Sequence, residues 1–239
     1  MNIGFANGNF WQLNASTNER FDEKVIRKFI IPGASIIELH CIDEGTLDYI
    51  LEKGFCIKDD VKMVSMHAPT AHLRYDDSMI THRILHKIEL ICAKYSVHNV
   101  VFHPDLIFNW SVLASYTNIP VSIENMDDRK DFGKSIGDIE SVLKKYNFGL
   151  TIDLQHCFVN DSTMKLAQEF QDKFKDRIVE YHISGFEKRL LHYPLYKTKQ
   201  NIIIEALKYK NIPIIIESVF DNFGEQYKEL EYIKKYIKS

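Results

Sequence analysis

The feature that most constrains this chain is a recurrence. Eight short apolar runs, each followed by an amphipathic stretch, succeed one another from end to end. The runs are NIGFA (2–6), SIIELH (35–40), KMVSMH (62–67), NVVFH (99–103), PVSIE (120–124), GLTID (149–153), IVEYHI (178–183) and PIIIE (213–217). Most are continuously apolar rather than alternating, the pattern of strands buried on both faces in a parallel sheet. Helical periodicity covers 19–30, 44–53, 78–95, 109–117, 135–146, 162–175, 198–210 and 224–237. Asp77–Ser78 and Asp161–Ser162 are start signals for two of these helices. Pro120 and Pro213 each open a run, where a missing N–H is tolerated. Strand–helix units repeated about every 30 residues specify an α/β protein, a (β/α)8 TIM barrel. No low-complexity tract or composition shift divides the 239 residues, so a single domain over 1–239 is expected.

In such a barrel the C-terminal strand ends and the loops after them form the active face. His67, His103, Glu124, Asp153, His182 and Glu217 stand there, with His156 three residues past Asp153 and His192 in the loop after the seventh run. Any one of them alone reads as a cap or a loop hydrogen-bonder. Six such endings on eight runs read differently, because charged groups are seldom set in apolar strands without partners. A divalent cation would take the lone pairs and offset the negative charge, so the set points to a metal or acid–base site.

Glu38 and His40 end the second run, and one is expected to face the barrel and the other the helices. Glu38 is a candidate substrate contact. Trp11, with Asn7 and Asn9 after the first run, is a candidate aromatic wall over the pocket. His72, His82, His86 and His98 read as surface or packing residues, and Lys144–Lys145 and Lys234–Lys235 as solvated helix faces.

Composition narrows the classes. The formal net charge of −3 gives no overall positive field for nucleic acid. No apolar run approaches the ~18 residues of a membrane span, so no membrane partner is expected. The opening MNIGFANGNFW lacks a basic n-region and an apolar h-region. Cys41, Cys56, Cys92 and Cys157 are scattered without a CxxC pair. A cytoplasmic chain with reduced thiols is the expectation.

The segments IIELH, SMHAP, VVFHP, SIEN, IDLQH, EYHISG, HYPL and IIIES, in this order at strand ends, resemble the xylose isomerase-like TIM barrels over nearly the whole chain. That superfamily includes sugar and sugar-phosphate isomerases and epimerases, and endonuclease IV (AP endonuclease family 2). The isomerase branch implies one metal held by Glu124, Asp153, His182 and Glu217. The two glutamates would exchange a proton on the substrate carbon through a metal-stabilised enediolate, and His156 would bind a substrate oxygen.

The endonuclease branch implies three ions. His67, His103 and Glu124 would hold the first, and Glu124, Asp153, His182 and Glu217 the second. His156 and His192 would hold the third. There the sequence departs from the pattern, with Leu190 where that branch has an aspartate. Mixed His and carboxylate shells suit Mn, Mg, Zn, Co or Fe, one to three per chain. The resemblance therefore implies a sugar or sugar-phosphate isomerase or epimerase, with an abasic-site phosphodiesterase acting on DNA as the alternative. A non-haem iron oxidase and a non-enzymatic sugar-binding scaffold also stay open, as does the oligomeric state.

Overall fold

A computed structural model describes residues 2–13, 18–56, 61–71, 73–187 and 190–237. Eight of its strands are parallel and close on themselves. These are β1 (Ile3–Ala6), β2 (Ile36–His40), β3 (Met63–His67), β4 (Asn99–Phe102), β5 (Val121–Glu124), β6 (Gly149–Asp153), β7 (Ile178–Ile183) and β10 (Ile214–Ile216). Each strand pairs with its sequence neighbours around the ring, and β1 pairs with β10 to seal it. A short antiparallel hairpin, β8 (Gly185–Glu187) with β9 (Leu190–Tyr193), leaves the ring after β7. The chain is a (β/α)8 TIM barrel, as the alternation of apolar runs and amphipathic stretches requires.

The helices are α1 (Glu23–Ile26), α2 (Glu44–Lys53), α3 (Met79–Tyr95), α4 (Trp110–Ser115) and α5 (Ile136–Leu143). They continue with α6 (Leu154–Asn160), α7 (Lys165–Lys173), α8 (Leu195–Thr198), α9 (Asn201–Glu205) and α10 (Glu225–Ile237). The main core lies between sheet and helices, where Phe5, Ile37, Leu39, Val100, Phe102 and Ile152 point outward from their strands. A second, small apolar cluster of Ala6, Ile36 and Ile215, with Met63 against it, plugs the lumen. Caps are local: the Ser78 hydroxyl accepts from Thr81 N, and Ser135 with Asp138 forms a capping box on α5.

Helix lengths depart from the periodicity where the backbone turns left-handed. The helix expected over 162–175 starts only at Lys165, because Met164 has φ 59° and Asp161 accepts from Thr163 N and Leu166 N in a turn of its own. The helix expected over 198–210 is two short pieces, interrupted at Lys199 with φ 59° and at Gln200, whose amide bonds Phe186 in β8. That over 19–30 is reduced to a 3-10 turn and α1. Helix α6 lies where no helix was expected.

Glu38 and His40 are the clearest correction. Two residues apart on one strand, they share a face, as the period of two demands, and both point into the barrel. All four cysteines are free. Among the described residues, no helix is long and apolar enough to cross a membrane.

Candidate active site and metal centre

The C-terminal mouth of the barrel holds a cavity of about 260 Å³, and His40, His67, His103, Glu124, His156, His192 and Glu217 all line it. Seven different strands or their following loops deliver these side chains. Two backbone features make room. Gly8, on the turn after β1, lies so close to the His40 ring that a Cβ there would overlap it. His192 takes φ 59° on β9, which sets its Nδ1 3.1 Å from Ser184 Oγ and 3.6 Å from Glu217 Oε2.

Glu124 is the hub. Its Oε2 lies 3.1 Å from His103 Nε2 and 3.7 Å from His67 Nε2, while its Oε1 lies 2.8 Å from His182 Nδ1. The two oxygens of one carboxylate thus face different groups of donors. His67, His103 and Glu124 form one set of potential ligand atoms within 4.8 Å of each other, and Glu124, Asp153, His182 and Glu217 form another. Both Glu124 Oε2 and Asp153 Oδ2 are buried without a hydrogen-bond partner. Buried, unpartnered carboxylate oxygens amid imidazoles fit a cation, which would meet the unmet lone pairs. The third expected set does not close. His156 and His192 are neighbours, with ring centroids 5.9 Å apart, yet among the described residues they join no group of three donors within 4.8 Å.

Asp153 divides its labour. Its Oδ1 accepts from Gln155 N and His156 N, capping α6, and its Oδ2 faces the site. This cap places His156, whose Nδ1 lies 2.8 Å from the Asn125 carbonyl and whose Nε2 lies 3.4 Å from Asp153 Oδ2. Asn125 stitches β5 to β6: its Oδ1 accepts from Asp153 N at 2.8 Å, and its Nδ2 donates to Asp153 O at 3.0 Å.

The titrations follow from crowding. Burial would raise Glu124 and Glu217, but His182 and the neighbouring imidazoles outweigh it and hold both carboxyls well below their usual range. Burial wins at Asp153, raised to about 6 with only partial relief from His156. His67 is driven up to about 9, burial opposing and Glu124 and Glu38 prevailing. His182 and His156 are also raised against burial, by Glu217 and Asp153 foremost. His40 and His103 go down, with burial the main cause. Opposed shifts of this kind among buried groups mark functional clefts.

Of the remaining expected residues, Glu38 is sealed beneath the cavity with its Oε2 3.2 Å from His182 Nε2, and it does not line the wall. The side chains of Trp11 and Leu190, and all of His72, lie outside the described residues.

Several residues at the site are not among those expected from the sequence. Glu180 is fully buried two positions before His182 on the same face, a placement that the strand period could have revealed. Asp127 and Arg129 sit in the loop after β5. Asp127 is buried and bonded by both Nε and Nη2 of Arg129, which lines the cavity with Lys130. Nothing in the string NMDDRKD marks that arrangement.

No family model matches the chain. An uncharacterised protein of Methanocaldococcus jannaschii is 32% identical over 94 residues, 36% of this chain and 31% of that one, so the match spans about a third of either. Among solved structures, endonuclease IV from Thermus thermophilus superposes with a TM-score of 0.61 at 10% identity, covering 100% of this chain and 99% of that one. The 3-keto-D-glucoside 4-epimerase YcjR of E. coli gives 0.58 at 16% identity, covering 98% and 99%. A sugar phosphate isomerase/epimerase of Parabacteroides distasonis gives 0.55 at 14%, covering 100% and 98%. The chain therefore shares its (β/α)8 barrel fold with these proteins.

Proposed function

We propose that this chain is a divalent-metal-dependent isomerase or epimerase acting on a small sugar or sugar phosphate. The observation that carries the proposal is the floor of the cavity. Glu124 and Glu217 offer carboxylate oxygens within 4.8 Å of one another there, under a space of about 260 Å³ sized for one small substrate. A divalent cation bound among Glu124, Asp153, His182 and Glu217 would polarise a substrate oxygen and offset the charge developing on it.

The residues do the remainder. Glu217, at the cavity wall and held ionised by its imidazole neighbours, is placed to take a proton from a substrate carbon. Glu124, anchored by three histidines, is the second carboxylate of the exchange. His156 turns Nε2 toward the cavity while Nδ1 is tied to the Asn125 carbonyl, an orientation suited to holding a substrate hydroxyl. Arg129, paired with buried Asp127, and Lys130, paired with Asp105, bring cationic N–H donors to the rim, which suits a phosphorylated sugar. The epimerase and isomerase names among proteins of this fold support the reaction class by analogy.

A second reading, phosphodiester hydrolysis at abasic DNA, is favoured by one observation. The two oxygens of Glu124 face separate donor sets, as a carboxylate bridging two ions would.

Metal content and activity separate the two readings. Near one ion per chain, together with solvent deuterium entering a ketose or ketose phosphate, supports the isomerase. That exchange should fall about 100-fold or more in Glu217→Gln. Two or more ions, with nicking of abasic-site DNA lost in Glu217→Gln, would replace the first reading by the second. Neither activity with Mn, Mg, Zn, Co or Fe supplied would defeat both.

A further inference from the structure

Below the cavity, the lumen is polar where barrels of this kind carry branched apolar side chains. Glu38, Ser65, Asn99, Ser122, Thr151 and Glu180 come from six successive strands, β2 to β7, and every one is buried. Ser65 Oγ donates to Glu180 Oε1 at 2.8 Å, and Asn99 Nδ2 donates to the same oxygen at 3.0 Å and to Thr151 Oγ1 at 3.2 Å. Ser122 and Thr151 hydroxyls meet at 2.8 Å. The girdle thereby fixes one oxygen of Glu180. Glu180 Oε2 and both oxygens of Glu38 have no hydrogen-bond partner.

Sealed carboxylates with unmet oxygens are costly unless a donor faces them. One ring does. His182 Nε2 lies 3.4 Å from Glu180 Oε1 in a hydrogen bond, and 3.2 Å from Glu38 Oε2. The other nitrogen of the ring, Nδ1, lies 2.8 Å from Glu124 Oε1 and 3.4 Å from Glu217 Oε2, within the candidate metal site. Carboxylates thus face both nitrogens; a cation taken up beside Glu124 and Glu217 would replace the proton on Nδ1, and the proton left on the ring would be the one on Nε2, facing Glu180 and Glu38.

We propose that Glu38 and Glu180 are positioning residues that hold the Nε2–H of His182 and so present its Nδ1 for ligation. They touch neither cavity nor substrate. Their effect passes through the orientation and tautomer of one imidazole, the arrangement by which carboxylates behind a ligating histidine strengthen it. The inference rests on His182 being a metal ligand.

The test uses Zn²⁺ as the probe, on the full chain. Glu38→Met removes an acceptor at similar side-chain length and leaves no protein donor newly unpaired, whereas Glu38→Gln keeps a carbonyl oxygen able to accept. Zn²⁺ affinity, measured by chelator competition, should fall about 10–100-fold in Glu38→Met, and the Gln variant should recover most of it. In the ¹⁵N-labelled, Zn²⁺-loaded chain, the His182 Nε2–H should be a downfield resonance protected from solvent exchange, shifted in Glu38→Met and lost in Glu180→Leu, which removes its acceptor. Should the Met variant fail to fold, Glu180→Leu set against Glu180→Gln carries the same comparison, since Ser65 Oγ keeps the Asn99 carbonyl and Asn99 Nδ2 keeps Thr151 Oγ1.

Equal affinity in wild type and variants, with the resonance unchanged, would overturn the proposal while leaving the metal site intact. Loss of one whole ion from the stoichiometry, with the remaining affinity untouched, would also overturn it, since Glu38 and Glu180 would then be ligands themselves. A wild-type chain that takes up no Zn²⁺ would defeat the metal reading and this inference together.

Discussion

Asp153 caps α6 with one oxygen and faces the candidate metal site with the other. The two roles come apart on substitution. Asp153→Asn keeps a capping oxygen, since asparagine caps as well as aspartate, but loses the anionic ligand. Metal affinity should fall about 100-fold or more while the metal-free chain unfolds at a near-unchanged denaturant midpoint. Asp153→Ala should lose the cap as well, about 1 kcal/mol of stability by denaturant unfolding.

His67 supplies a pH test. Its folded value is raised to about 9, against burial and chiefly by Glu124 and Glu38, from an ordinary 6.5. A raised imidazole contributes stability that is fully present below about 6.5 and is lost as pH rises through about 9. The metal-free chain should therefore lose that contribution between those values. Ligation requires the deprotonated imidazole, so metal affinity, and with it the stability of the loaded chain, should climb over the same interval. Thermal scans with chelator and with metal should give slopes of opposite sign across pH 6.5 to 9.

Among the elements, α6 and the end of β5 matter most. The run GLTID ended legibly on Asp153, and the sequence placed His156 beyond it. The helix that carries His156 is not legible, because its cue, an aspartate at the end of a strand, reads equally as a ligand. Tertiary contact also decided the role of Asn125. Its side chain takes the N–H and C=O of Asp153, bonds that a β-sheet neighbour would otherwise make. Asn125→Leu would leave the buried N–H of Asp153 unpaired, while its carbonyl keeps the first bond of α6, and should cost about 1–3 kcal/mol in denaturant unfolding, with metal affinity falling as Asp153 shifts. A variant of wild-type stability would show that the stitch carries little of the joint between β5 and β6.

At the scale of the whole barrel, closure depends on β1 lying close to β2. A Cβ on Gly4 would overlap the Ile36 carbonyl of the neighbouring strand, so Gly4→Ala should destabilise the chain by about 3 kcal/mol or more, read as a lowered unfolding midpoint. The strand runs were legible to within a residue or two, since a strand buried on both faces must be continuously apolar. Helix boundaries were less so. Met164 and Lys199 take left-handed backbone conformations that neither residue type advertises.

The sequence by itself determined the barrel, through the spacing of its apolar runs, and the residues at the strand ends, through the polar groups that close those runs. These are local properties, written in consecutive residues. What only the tertiary structure decided is which of those groups meet. Glu124 shares its two oxygens between His103 and His182, Arg129 reaches the cavity rim, and Glu38 and Glu180 converge on the far side of one imidazole. Those meetings depend on strand register and on the closing of β1 against β10. Register fixes the height of each side chain in the lumen, and closure turns positions far apart along the chain into neighbours.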